Sequence, residues 1–152
     1  MQDYVGAKGA LFLGSRLLTT LRDNIPTIPF PGCWDFVGGG REGAETPRET
    51  LIREAREEVG LDLTGAEWLW DSRFPAMVDP SRTSWFYVLR MPAEAARTIV
   101  MRDEGQGWLL IPPERFLTLP DAVPSLQARL RAWMHDGPGG RVASSRMGPT
   151  PS

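Results

Sequence analysis

The order in which the residue pattern changes along the chain predicts an α/β fold: a single-domain sandwich in which helices cover a mixed β-sheet. Two observations carry this. One helix, at 47–59, is specified at both ends by its own residues, and short strand-like runs lie on both sides of it. The strands are not separated by a regular alternation of helices, so the chain is not a repeated βαβ winding.

Residues 7–22 predict a hairpin: the apolar run AKGALFL, a turn at Gly14-Ser15, then RLLTTLR. Residues 23–33 hold three prolines and one glycine and read as a loop. Trp34–Val37 reads as a short strand, broken by Gly38-Gly39-Gly40, where the backbone is free to approach another group closely. Thr46 is a good N-cap, Pro47 suits the first helical position, and Glu49 completes a capping box. Leu51, Ile52, Ala55 and Val59 recur at helical spacing, and Gly60 supplies the stop. Strand-like segments follow near 66–74, 83–91 and 107–111, with a loop at 75–82. In the middle one Trp85, Tyr87 and Leu89 alternate with Phe86 and Val88, which assigns them to opposite faces. A short turn or helix at 112–116 precedes an amphipathic helix at 125–135, with Leu126, Leu130, Trp133 and Met134 inward. Residues 1–136 form the domain, and the Gly-, Pro- and Ser-rich tail 137–152 is predicted to be disordered.

Composition narrows the function classes. A chain of 152 residues with 41% hydrophobic and 24% charged residues is ordinary for a globular protein. The net charge of -2 gives no basic field for a nucleic-acid polymer, while a small anionic substrate stays open because a bound cation can reverse the local sign. With Cys33 as the one cysteine no internal disulfide is possible, and a cytoplasmic setting is expected. The N-terminal residues lack the features of a targeting segment, and no apolar run approaches the ~18 residues of a membrane span. The bias toward arginine is spread along the whole chain and carries no inference.

The informative stretch is GGREGAETPRETLIREAREEVGL, Gly39–Leu61. Glu54 and Glu58 lie four apart on one helix face, with Glu57 on the adjoining edge and the apolar stripe opposite. Carboxylates crowded on one face repel. Hard divalent cations compensate that repulsion, and oxygen ligands suit Mg²⁺ or Mn²⁺. Arg53, four before Glu57, can fix a carboxylate by a charge-assisted bond. A glycine loop before a helix can offer carbonyls to a metal and N–H groups to a phosphate. The alternative is a solvated face of acidic and basic residues. Against it stands the whole spacing. Seven fixed residues at fixed spacing coincide by chance at on the order of 10⁻⁸ per start position.

That spacing, G-x5-E-x7-R-E-U-x-E-E-x-G-U with U aliphatic, resembles the Nudix box, with Ala55 at the first U. The resemblance implies a Nudix-type α/β/α sandwich and a divalent-metal-dependent hydrolase that cleaves the diphosphate of a nucleoside diphosphate linked to another group. It implies Glu57 and Glu58 as metal ligands, Glu54 as a further ligand or the base that activates water, and the carbonyl near Gly38 as another ligand. Arg53 would orient the glutamates. Glu45 would act through water or brace the loop, and Gly60 completes the box. Gly39 and Gly40 are expected at the substrate. The general base often lies outside the box, and Glu104 is the candidate, with Asp103 second. Phe30 and Trp34 are expected to hold the rest of the substrate; Trp85 and Trp108 are further aromatic candidates. His135 reads as a helix-terminal charge.

The expected cofactor is Mg²⁺, with Mn²⁺ as a substitute. The expected partner is a small nucleotide or nucleotide conjugate, with no membrane or nucleic-acid polymer, and a homodimer is one assembly open to the family. Among substrates, ADP-ribose enzymes tend to carry a proline about 16 residues past the box. Here Pro75 and Pro80 miss that position, and Val78-Asp79 replaces the tyrosine expected of dinucleoside polyphosphate enzymes. A (deoxy)nucleoside triphosphate is therefore favoured over ADP-ribose or a nucleotide sugar. A regulatory module that binds nucleotide without catalysis would be expected to show a broken box. An isopentenyl-diphosphate isomerase would need a cysteine and histidines that this chain does not place.

Overall fold

The computed structural model describes residues 3–101 and 105–136. In chain order the elements are β1 (Gly6–Leu13), β2 (Arg16–Leu21), β3 (Trp34–Asp35), β4 (Val37–Gly40), α1 (Pro47–Val59), β5 (Glu67–Pro75), β6 (Thr83–Met91), β7 (Gly107–Ile111), α2 (Pro113–Phe116) and α3 (Pro124–Asp136). Two short 3-10 turns, Leu63–Gly65 and Ala93–Thr98, complete it. No helix among the described residues is long and apolar enough to cross a membrane. The tail 137–152, expected to be disordered, lies outside the described residues.

One sheet runs β3-β2-β1-β6-β5, with β4 also on β1 and β7 also on β2. β1 and β6 pair in parallel and the other pairs are antiparallel, so the sheet is mixed. The strand period of two sends alternate side chains to opposite helices. Leu11, Leu13, Tyr87 and Leu89 meet Leu51, Ala55 and Val59 of α1 on one face. Ala10, Phe12, Phe86 and Val88 meet Leu126, Leu130 and Trp133 of α3 on the other. This is the expected α/β/α sandwich, and the assignment of Trp85, Tyr87 and Leu89 against Phe86 and Val88 holds. Burial of these large side chains is what holds the layers together, each contributing roughly 1.5–3 kcal/mol.

Two local expectations change. The glycine run does not end a strand. Trp34–Asp35 pairs with β2, the chain turns at Phe36, and Val37–Gly40 forms its own strand against β1, with Lys8 opposite Gly38 and Ala7 opposite Gly39. Gly38 sits at φ +137, and a Cβ there would lie 2.2 Å from the Ala7 carbonyl oxygen, so only glycine permits this approach. In α3 the inward face includes Arg129, buried at 2% exposure, while Met134 is only half-buried. The Arg129 guanidinium is held by the Pro75 carbonyl at 2.8 Å and the Phe74 ring, contacts that come from distant sequence.

Candidate active site

α1 is fixed at both ends before it carries any chemistry. The Thr46 N–H donates to Glu49 Oε1 at 2.9 Å, and the Glu49 N–H donates to Thr46 Oγ1 at 3.2 Å, closing the expected capping box. Gly60 ends the helix in the left-handed conformation at φ +74. These ends set the register that turns Glu54 and Glu58 toward β4 and leaves Glu57 at the rim.

Arg53 is the hub of the acidic face. Its Nε donates to Glu45 Oε2 at 2.6 Å and its Nη2 to the Gly40 carbonyl at 2.7 Å. Nη1 lies 3.2 Å from Glu54 Oε2 and 3.1 Å from Glu57 Oε1. One planar guanidinium therefore ties the helix to the loop that precedes it and to the end of β4. Glu45 is satisfied further by the Glu42 N–H and the Thr50 hydroxyl, both at 2.9 Å. The Arg53 bond, with those two, holds the Glu45 carboxyl down at about 2. Glu45 is thus a brace of the loop–helix junction.

Glu54 and Glu58 are different in kind. Burial pushes the Glu54 carboxyl above its ordinary value, with Arg53 pulling the other way. Burial pushes Glu58 up to about 7, although Lys8 and the Gly38 N–H both favour its charged form. The Gly38 N–H donates to Glu58 Oε1 at 3.1 Å. A Cβ at Gly39 would fall 2.5 Å from Glu54 Oε2, so the glycine is what lets that carboxylate lie against β4.

Both carboxylates open onto a cleft of ≈ 330 Å³, with Lys8, Phe30, Gly39 and Gly40 among its walls. A second groove of ≈ 320 Å³ adjoins it past Gly39, Gly40 and the Met77–Val78 loop. Phe30 stands at φ +51, the one non-glycine residue with positive φ among the described residues, a conformation that costs on the order of 1–3 kcal/mol and favours functional positions.

The sequence candidates separate accordingly. Glu54, Glu58, Gly38, Gly39, Gly40 and Phe30 meet in the cleft. Glu57 is at its rim, with 57% of its side chain exposed and its carboxylate on Arg53. Trp34 does not line the cleft; it packs partly buried against the α3-side core, its backbone bonded to Asp121 and Val123. Trp85 and Trp108 pack partly buried against the α1-side core. His135 is exposed beside Asp136. Glu104 and Asp103 lie outside the described residues. Sequence reasoning did not single out Lys8, Arg22 or Asp35, which also line the cleft. Lys8, the chain's single lysine inside an otherwise apolar strand, was the available signal.

Among the described residues no three acidic, histidine or cysteine side chains are drawn together as a closed metal cage. Glu54 and Glu58 nevertheless fit a divalent cation. They are hard oxygen donors, both disfavoured in their charged form by burial, and a cation between them would remove that penalty.

This makes a prediction for the metal-free protein. In an unfolded chain Glu58 titrates near 4.5, and in the fold near 7. Above pH 7 the folded state bears the full burden of a buried charge. As pH falls from 7 to 4.5 the folded state takes up the proton first and is relieved, by up to ~3 kcal/mol. Glu45 acts in the opposite sense and only lower, losing its contribution as pH falls from 4.5 to about 2. The melting temperature in chelator should therefore rise from pH 8 to pH 5, and adding Mg²⁺ at pH 8 should recover the difference. A flat profile would contradict the burial of Glu58.

The family model described as "NUDIX domain" matches residues 6–136. A nucleoside triphosphatase NudI from Salmonella arizonae is 34% identical over 110 residues, covering 68% of this chain and 77% of that protein. The crystal structure of RenU, a Nudix hydrolase from M. smegmatis, superposes with a TM-score of 0.71 at 15% identity, covering 97% of this chain and 91% of that one. An E. coli dihydroneopterin triphosphate pyrophosphohydrolase superposes with a TM-score of 0.64 at 19% identity, covering 87% and 97%.

Proposed function

The chain belongs to the Nudix hydrolase family, and from that premise we propose that it is a Mg²⁺-dependent nucleoside triphosphate pyrophosphohydrolase, with Mn²⁺ able to replace Mg²⁺. The observation that carries the reading is the pairing of two half-buried carboxylates, Glu54 and Glu58, with the glycine backbone of β4 in one cleft. The name of the relative from Salmonella arizonae supports a nucleoside triphosphate as the substrate class.

Glu54 and Glu58 would hold the cation, with Glu57 at the rim able to join them. A divalent cation held there would supply charge neutralisation and Lewis acidity toward the diphosphate. The chain's own groups do the rest. Arg53 keeps Glu54 and Glu57 in fixed rotamers and anchors Gly40. Phe30, half-buried on the cleft wall, supplies a flat apolar surface for the nucleoside. The general base is assigned to Glu104. Its described neighbours Met101 and Gly105 line a pocket of ≈ 210 Å³ that also reaches Glu58. Glu104→Gln is then expected to lower kcat by ~10²-fold with little change in KM. A loss confined to KM would move the base elsewhere.

The reading as a whole is tested by incubating the full chain with nucleoside triphosphates, ADP-ribose and nucleotide sugars in Mg²⁺ and in Mn²⁺, and identifying products by chromatography. Nucleoside monophosphate and pyrophosphate from a triphosphate are expected. Turnover of ADP-ribose alone would replace the substrate class, and no turnover of any of them would end the reading.

A further inference from the structure

Beside the two glutamates the cleft holds a second set of charged side chains to which no role has been given. Lys8, on β1, and Asp35, on β3, are 7% and 4% exposed, and both line the cleft that holds Glu54 and Glu58. Lys8 Nζ donates to Asp35 Oδ2 at 2.9 Å, to the Phe36 carbonyl at 3.2 Å and to the Gly38 carbonyl at 3.4 Å. Arg22 Nη1 donates to the same Asp35 Oδ2 at 2.8 Å, while its Nε is committed to the Pro29 carbonyl at 2.8 Å. Asp35 Oδ1 takes the Phe36 N–H at 2.7 Å.

The hydrogen-bond inventory of this pair is uneven. A carboxylate oxygen offers two acceptor sites and an ammonium three donors. Asp35 Oδ2 is filled by Lys8 and Arg22. Oδ1 has one described partner and a second site to give. Two of the Lys8 donors are well spent, and the third, at 3.4 Å, is near the limit of a useful bond. Asp35 and Lys8 thus offer, side by side, one open acceptor and one loosely held donor. Arg22 braces the carboxylate so that this edge is fixed. A buried ion pair adds little stability over apolar residues of the same size, so holding the β3–β4 corner is a weak reason for one here.

We propose that Lys8 and Asp35 read the hydrogen-bonding edge of the substrate's base: Lys8 donates to an acceptor on the ring, and Asp35 accepts from the neighbouring N–H. The ligand chemistry is a planar heterocycle with a donor and an acceptor adjacent on one edge, as nucleobases have and sugars or inorganic pyrophosphate do not. Phe30, Met77 and Val123 line the same cleft and give that ring apolar walls. This inference rests on the nucleotide reading above and adds which residues choose the base.

The test compares each of UTP and GTP with its analogue methylated on the edge N–H, N3-methyl-UTP and N1-methyl-GTP. Methylation removes the donor and leaves the triphosphate, sugar and metal chemistry intact. For the wild type, kcat/KM is expected to fall at least ~10-fold on methylation, since a hydrogen bond to a charged group is worth about 1.5–3 kcal/mol. In Asp35→Asn the ratio should shrink to within ~3-fold. A merely structural Asp35 would lower both substrates alike and leave the ratio unmoved. If Asp35→Asn does not fold, Lys8→Arg serves as the second variant, and the wild-type ratio decides by itself. Equal kcat/KM for methylated and unmethylated nucleotides in the wild type overturns the base-reading role while leaving the hydrolase reading in place. No hydrolysis of any of the four overturns both.

Discussion

Glu58→Gln is expected to lower kcat by more than ~10²-fold while the protein stays folded. Glutamine has the shape of glutamate, and its Oε1 can still accept the Gly38 N–H that Glu58 now takes at 3.1 Å. What it cannot do is carry a negative charge, so it loses the strong oxygen donor that a divalent cation needs. The same change should raise the melting temperature of the metal-free protein at pH 8. The native Glu58, pushed up to about 7 by burial, pays there for a charge that glutamine never carries. Lower activity together with higher metal-free stability is a signature that a purely structural glutamate does not give. Activity within ~10-fold of wild type would count against the metal assignment.

Arg53→Ala is the second large effect, and it falls on stability and activity together. The guanidinium serves Glu45, Glu54, Glu57 and the Gly40 carbonyl at 2.6–3.2 Å. Its loss leaves Glu45, held down at about 2 chiefly by that bond, with only the Glu42 N–H and the Thr50 hydroxyl. About 2–3 kcal/mol is expected, a drop in melting temperature on the order of 5–10 °C. Turnover should fall at least ~10-fold as well, because Glu54 and Glu57 lose the group that fixes them. Arg53→Lys should keep part of the stability but little of the activity, since a single ammonium cannot replace a fork that bonds four partners. Thermal melts and kcat measured on the same preparations separate these outcomes.

The parts of this structure written in local residues were legible beforehand. Thr46, Pro47, Glu49 and Gly60 specify α1 without help from elsewhere, and it spans Pro47–Val59 as the sequence reading placed it. The alternation through Trp85–Leu89 likewise depends only on the strand period. What could not be read depends on partners far along the chain. Gly38–Gly40 is a strand because β1 lies against it, and a glycine run carries no side-chain pattern to announce that. Arg129 is inward because the Pro75 carbonyl, 54 residues away, receives it. Asp35 and Lys8 are 27 residues apart, and although a single lysine in an apolar strand stands out, nothing in the sequence pairs it with Asp35; only the β1–β4 pairing and the turn at Phe36 bring them together. Trp34 was a reasonable aromatic candidate by proximity, yet while both Phe30 and Trp34 pack against the α3-side core, only Phe30 also lines the cleft. The substrate half of the site was thus harder to read than the box, because it is assembled by tertiary pairing.

The central claim is that Glu54 and Glu58 form a divalent-cation site against the β4 glycines. Anomalous diffraction from crystals soaked in Mn²⁺ with a nucleotide tests it most directly. The expected result is a Mn²⁺ peak within coordination distance of both carboxylates, absent in crystals of Glu58→Gln. Peaks found only elsewhere, in crystals of a protein that still hydrolyses nucleotides, would contradict it.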